Sequence, residues 1–385
     1  MRSLSHNLLR AEGAAALAPA LAANGGLTSL NLSDNQLCGL NRHGRGTYTA
    51  EGIAAIADTL RVNGALTVTN LLGNQLDAES AKMLAKVAKH KGISLCGIRR
   101  DQTTADFSRK DLEPTDAILL ASDLSQAVVT GALTSLDLSN NALCGVAKDP
   151  FGAGLSGTYT AEGITAIADA LRVNGGLTSI DLSGNQLCGI WTDDDGDQHG
   201  TYTAEGITAI ADALRVNGAL TSINLRGNQL EDMGWGAIFA AICGNKDSKI
   251  MSLDASGENI GLAGGKLIAK ALCTSVTGGL TALNLSHNYL KDEGVSAICK
   301  AIQSNKETKL ASLNFKNNGI SPVGANAVAA MVAVTGGLTR IDLSGNQLCG
   351  IWTDGHGNQQ GAYTAEGITA IADALRVNGA LTKIE

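Results

Sequence analysis

The pattern L-x-x-L-x-L-x-x-N-x-L constrains this chain more than any other feature. It reads LTSLNLSDNQL from Leu27, LTVTNLLGNQL from Leu66, LTSLDLSNNAL from Leu133, LTSIDLSGNQL from Leu177 and LTSINLRGNQL from Leu220. It continues as IMSLDASGENI from Ile250, LTALNLSHNYL from Leu280, LASLNFKNNGI from Leu310 and LTRIDLSGNQL from Leu338, and a tenth copy opens at Leu381. A length of 385 residues would otherwise suggest roughly two or three globular domains. Self-similarity at a fixed period overrides that expectation, because each copy is one unit that contacts mainly its neighbours.

Within each copy, L-x-L places two apolar side chains on one face of a short strand and the intervening residue on the other. The later asparagine can satisfy the exposed backbone of the turn with its amide. Asn35, Asn74, Asn141, Asn185, Asn228, Asn288, Asn318 and Asn346 are therefore expected to form a structural ladder. A helix such as AEGITAIADALRVNG follows, with Ile207, Ile210, Ala211 and Leu214 forming one apolar stripe and Asn217-Gly218 as its stop. One unit cannot bury both its strand face and its stripe, but stacked units can.

The motif and its spacing of 28–30 residues between the later copies resemble the leucine-rich repeat of the long, ribonuclease-inhibitor-like class. The resemblance covers nearly the whole chain. It implies an α/β solenoid of horseshoe form, with a concave parallel sheet, convex helices and a single domain over 1–385. Both ends fall inside a repeat, LSHNLL at Leu4–Leu9 and LTKIE at Leu381–Glu385, so a fragment of a longer array is expected.

Four copies depart from the pattern by an insertion between strand and helix, at 38–52, 144–163, 188–206 and 349–367. Each begins Cys-Gly and ends Tyr-Thr-Ala-Glu-Gly, which suggests one anchored hairpin or loop used four times, with Thr as helix N-cap. The segment 92–131 is irregular: a degenerate strand is expected at Ile93–Ile98. A diverged repeat follows, in which Ala105 and Phe107 replace leucines and Lys110 replaces the asparagine.

Composition narrows the function. Aromatics make up 3% of the chain, so the core is expected to consist of Leu, Ile, Val and Ala. A net charge of −7 argues against a nucleic-acid or anionic-membrane partner. No apolar run is long enough for a membrane span. Eight dispersed cysteines form no C-x-x-C pair and read as reduced core fillers in an intracellular, cytoplasmic protein. The sequence contains no G-x-x-x-x-G-K-[ST], G-x-S-x-G or H-E-x-x-H. No enzyme activity, metal or cofactor is expected.

The outward strand positions give the candidate partner strip: Asp137, Asp181, Asn224, Arg226, Asp254, Asn284, Asn314, Arg340 and Asp342. This strip is small, polar and weakly acidic, suited either to a basic partner or to plain solvation, since hot spots favour Trp, Tyr and Arg. The insertions hold Trp191 and Trp352, candidate partner anchors, and Tyr48, Tyr159, Tyr202 and Tyr363, which read as braces for the loops. The acidic run Asp193, Asp194, Asp195, Asp197 with His199, echoed by Asp354 and His356, reads as a solvated turn rather than a Ca²⁺ loop. A monomeric scaffold or sensor that binds a protein ligand is the reading that results. Two others stand beside it: a regulator of a small GTPase, because Ran GTPase-activating proteins resemble this repeat class, and a purely structural array of recent duplication.

Overall fold

The computed structural model describes residues 2–41, 44–148, 155–192, 197–276 and 279–385. The chain divides into two compact units, Met1–Ala213 and Leu214–Glu385. In the first, strands Arg2–Ser3, Ser29–Asn31 and Val68–Asn70 form one parallel sheet. Strands Thr104–Asp106, Ser135–Asp137 and Ser179–Asp181 pair in parallel as a second set. In the second unit, Ser252–Asp254, Ala282–Asn284, Ser312–Asn314, Arg340–Asp342 and Lys383–Ile384 form one parallel sheet in unbroken register. A helix separates consecutive strands, among them Arg10–Ala23, Glu51–Val62, Ala78–Lys91, Pro114–Leu124 and Glu162–Val173 in the first unit.

The central strand residue points inward in the complete copies, whereas its equivalent in the last strand, Ile384, is exposed. Leu30, Leu136, Ile180, Leu253, Leu283, Leu313 and Ile341 are all buried. The helical stripe Ile207, Ile210, Ala211 and Leu214 is buried as well, each large side chain contributing about 1.5–3 kcal/mol. Two sequence expectations need correction. Trp235, Phe239 and Phe315 are fully buried, so the core of the second unit is not purely aliphatic. Cys273 is exposed on its helix, whereas Cys38, Cys96, Cys144, Cys188, Cys243 and Cys299 do fill the core.

Asparagines satisfy the backbone between repeats. The Asn288 amide donates to the carbonyls of Ala255, Leu285 and Ser286, and its oxygen accepts from the amides of Glu258 and Ile260. Asn35, Asn74 and Asn318 likewise donate to a carbonyl of the preceding repeat and to their own turn. Asn141, Asn185 and Asn346 do the same, and Asn228 donates to Leu225 and Arg226.

A second asparagine column closes the helices. Asn63 follows helix Glu51–Val62 in an extended conformation, so a left-handed glycine is not what stops this helix. Its amide donates to the Leu21 and Asn24 carbonyls of the previous repeat, and its oxygen accepts from the Ala65 and Leu66 amides. Asn378 repeats this with Val332, Thr335, Ala380 and Leu381. The sequence signal was present, because Asn24, Asn63, Asn174, Asn217 and Asn378 each stand three residues before a motif leucine.

Where the sequence is irregular, carboxylates take over this task. Ser94 bridges Val68 in parallel, and Thr69 donates to the Ser94 carbonyl. The loose segment at 94–96 is held by Asp123 of helix Pro114–Leu124, fully buried, which accepts from the Ser94 hydroxyl and the Leu95 and Cys96 amides. Asp116, two turns earlier on the same face of that helix, accepts from the amides of Gly73 and Glu113. In the second unit Glu258 occupies the ladder position and accepts from the Gly227 amide.

Two predictions follow from these contacts. Asn288→Ala leaves several buried backbone groups unpaired and should cost about 3 kcal/mol in urea unfolding; an unchanged midpoint would contradict the ladder. Burial pushes Asp123 up to about 7 and Asp116 up to about 6, against hydrogen bonds that lower them. Both lie above the carboxylate value of about 3.9 in an unfolded chain. The unfolded chain therefore releases these protons first, so their stabilisation is full below about pH 4 and is lost as pH rises towards about 7. The urea midpoint should fall between about pH 4 and pH 7 and level off above, and the fall should shrink in Asp123→Asn and Asp116→Asn.

Candidate functional site

The outward strand residues sit in register rows. Asp106, Asp137 and Asp181 are direct neighbours in the first unit. Asp254, Asn284, Asn314 and Asp342 are neighbours in the second. Each closes a local turn. The side-chain oxygen of Asp137 accepts from the Ser139 amide, Asp181 from Ser183, Asn224 from Arg226 and Asp254 from Ser256. Asn284, Asn314 and Asp342 accept in the same way from Ser286, Lys316 and Ser344. Such side chains are fixed before any partner arrives, because the turn holds their rotamers. Sequence reasoning saw these residues as a surface and missed that one oxygen of each is already engaged.

Charge on this face is locally paired. Arg226 lies 3.6 Å from the Asp254 carboxylate. Arg340 reaches Glu385 at 2.6 Å, and Lys383 reaches the same carboxylate at 2.9 Å. Burial tends to raise Asp342, but hydrogen bonds from Ser344 and the nearby Lys316 and Arg340 outweigh it and hold the carboxyl below its usual range.

The insertions at 188–206 and 349–367 contain antiparallel strand pairs, Ile190–Thr192 with Gln198–Gly200 and Ile351–Thr353 with Gln359–Gly361. The insertion at 144–163 contains Val146–Lys148 with Leu155–Gly157, and that at 38–52 an isolated antiparallel bridge between Leu40 and Gly46. Their constant ends have a backbone cause. Gly350 and Gly361 both have positive φ, 77° and 86°, and a Cβ on Gly361 would collide with the Gly350 carbonyl. The same facing glycines recur as Gly39 with Gly46, Gly145 with Gly157 and Gly189 with Gly200. Thr49, Thr160, Thr203 and Thr364 donate their amides to the carbonyls of Cys38, Cys144, Cys188 and Cys349, closing each base at 2.9–3.0 Å. Thr49 is not the helix N-cap. Ala50 is, and the Thr49 hydroxyl accepts from the Glu51 amide.

Two tyrosines reach the next repeat. The Tyr48 hydroxyl bonds that of Ser80, and the Tyr159 hydroxyl donates to the Leu187 carbonyl and accepts from the Gly206 amide. Tyr363 is exposed. Trp191 stacks on His199 across its hairpin, with ring centroids 5.9 Å apart. Trp352 pairs with Gln360, and its ring lies over Gly361, where a Cβ would come within 2.8 Å of it. Trp352 is nevertheless 45% exposed. Asp193, Asp194 and Asp195 lie outside the described residues. The Asp354 carboxylate is engaged in its turn, accepting from the His356 and Asn358 amides and from the Gln360 side chain. Those bonds, led by the Asn358 amide, hold it below the usual range. Among the described residues no group of three acidic, cysteine or histidine side chains is arranged to hold a metal.

A family model described as Leucine Rich repeat matches residues 280–299, which hold the copy that starts at Leu280. With the same motif at nine places and parallel strands alternating with helices, the chain is a leucine-rich repeat protein. Comparison with curated protein sequences finds no match. Among solved structures, it is similar to leiomodin-1 actin-binding site 2, at 16% identity over 57% of this chain and 90% of that one, with a TM-score of 0.30. It is also similar to the tropomodulin C-terminal domain of Caenorhabditis elegans, at 12% identity over 56% of this chain and 92% of that one, with a TM-score of 0.30.

Replacing Gly361 by valine should disrupt the second of these hairpins, since a β-branched residue is strained at positive φ and the Trp352 ring would be displaced. The check is tryptophan emission, which should shift to the red in Gly361→Val relative to the parent. An unshifted spectrum would mean that the ring does not rest on this glycine.

Proposed function

We propose that this chain is a protein-binding repeat module, and that its partner engages the outward strand rows together with the hairpins beside them. One observation carries the reading. Trp352 is a large aromatic held over Gly361 by its own hairpin, yet nearly half of its surface is open to solvent. A rigid, exposed tryptophan loses little side-chain freedom on binding and can bury much apolar area, which is what interface anchors do. The pre-bonded rows from Asp254 to Asp342 add hydrogen-bonding groups at fixed spacing, about 4.8 Å from strand to strand.

The spacing of 28–30 residues supports a long, ribonuclease-inhibitor-like repeat type. Eight free cysteines support an intracellular setting. Among the described residues, no helix is long and apolar enough to cross a membrane.

The test compares proteins captured from native cell extract by the parent chain and by Trp352→Ala, Asp254→Ala and the double variant, with folding checked by circular dichroism. A partner held by this surface should be retained by the parent and weakened roughly tenfold or more by Trp352→Ala. Captured proteins that are equally retained by all three variants would overturn the proposal.

A further inference from the structure

Helix Ala78–Lys91 is unlike the rest of this acidic chain. It carries Lys82, Lys86, Lys89 and Lys91 against one acid, Glu79. Between it and helix Glu51–Val62 lies an open cleft of about 770 Å³, with Met83 and Val87 among its lining residues. Lys82, Lys86 and His90 stand along one edge, and Arg61, Lys91 and one acid, Glu79, also line it. Arg61 is paired with Asp58, and Lys82 with Glu162 at 2.6 Å. Lys86 and Lys91 have no ion-pair partner among the described residues.

The cleft has a cause in the sequence. Neighbouring helices approach closely where a glycine occupies the first turn. A Cβ on Gly52 would come within 2.7 Å of the Ala11 backbone, and one on Gly163 within 2.7 Å of Pro114. Helix Ala78–Lys91 contains no glycine. Its first turn presents Ser80, whose hydroxyl bonds that of Tyr48. The side facing helix Glu51–Val62 is therefore not drawn in backbone to backbone, and Met83 stays half-buried among the lysines, above the buried Val87.

We infer that this cleft docks an acidic amphipathic helix of a partner protein, independently of the strand face and hairpins. Lys82, Lys86 and His90 recur every four residues, so they lie about 6 Å apart along the helix. Carboxylates at i and i+4 of an incoming helix have the same spacing, and apolar side chains between them meet the half-buried Met83 and the aliphatic stems of the lysines. Charge complementarity selects this occupant: Lys86 and Lys91, without ion-pair partners among the described residues, outnumber the one acid that lines the cleft, Glu79, on a chain of net charge −7.

The probe is a fluorescein-labelled helical peptide with leucines on one face and glutamates at i and i+4 beside them, titrated with the full chain by fluorescence anisotropy. Saturable binding is expected, weakened by added salt and lost when lysines replace the glutamates. Lys86→Glu with Lys91→Glu should weaken it at least about tenfold, and Met83→Ser should weaken it several-fold. Lys89→Glu changes the net charge as much as Lys86→Glu but lies off the cleft, so it should leave affinity within about twofold. Trp352→Ala should leave it unchanged, which separates this site from the strand face and hairpins. Circular dichroism confirms that each variant is folded. The inference is overturned by absence of saturable binding, by equal losses in Lys89→Glu and Lys86→Glu, or by equal binding of the lysine peptide. It is also overturned if phosphatidylserine vesicles bind the chain more tightly than the peptide with the same dependence on Lys86, which would make the cleft a membrane contact.

Discussion

Everything in this structure depends on how a three-residue parallel strand satisfies its backbone. Strands such as Leu283 with its two flanking residues are too short to close their own turns, and each hands its unpaired groups to the next repeat. Asn288 shows the solution: one side-chain amide donates to two repeats while its oxygen accepts from another turn. The Asn63 column does the same at the helix ends. Only an amide offers donors and an acceptor on one short planar group, which explains why asparagine recurs at both places.

Carboxylates occupy the exceptional positions. Asp123, Asp116 and Glu258 accept from backbone amides but have no donor to offer when ionised. Each is buried, and burial raises its pKa. These replacements coincide with departures of the repeat, the segment at 94–116 in one case and Trp235 packed near the Glu258 carboxylate in another. A buried acid accommodates an irregular backbone at the cost of making local stability depend on pH.

The hairpins follow a different rule. Their ends are constant because two facing glycines and one threonine amide close the base, while the tips vary freely. A surface that carries function can change there without disturbing the repeat beneath it. The helix side is set by glycine too: its presence draws helices together at Gly52 and Gly163, and its absence within helix Ala78–Lys91 leaves the basic cleft open.

The sequence by itself determined the repeat, the inward leucines, the asparagine of each motif and the places where insertions occur, because period and residue type report local geometry directly. It also held two signals that pattern reading passed over, the asparagine three residues before half of the motif leucines and the paired glycines of the insertions. Tertiary structure decided what depends on distance across the chain. No spacing rule tells that Asp123 would hold the backbone of residues 94–96, since 28 residues separate it from Leu95. Nor does the sequence say that Asp137 and Asp342 spend an oxygen on their own turns, that Trp352 rests on Gly361 yet stays exposed, or that the lysines of one helix border a cleft. Each of these follows from which neighbour is near enough to accept a hydrogen bond or exclude water, and that is fixed only when the repeats stack.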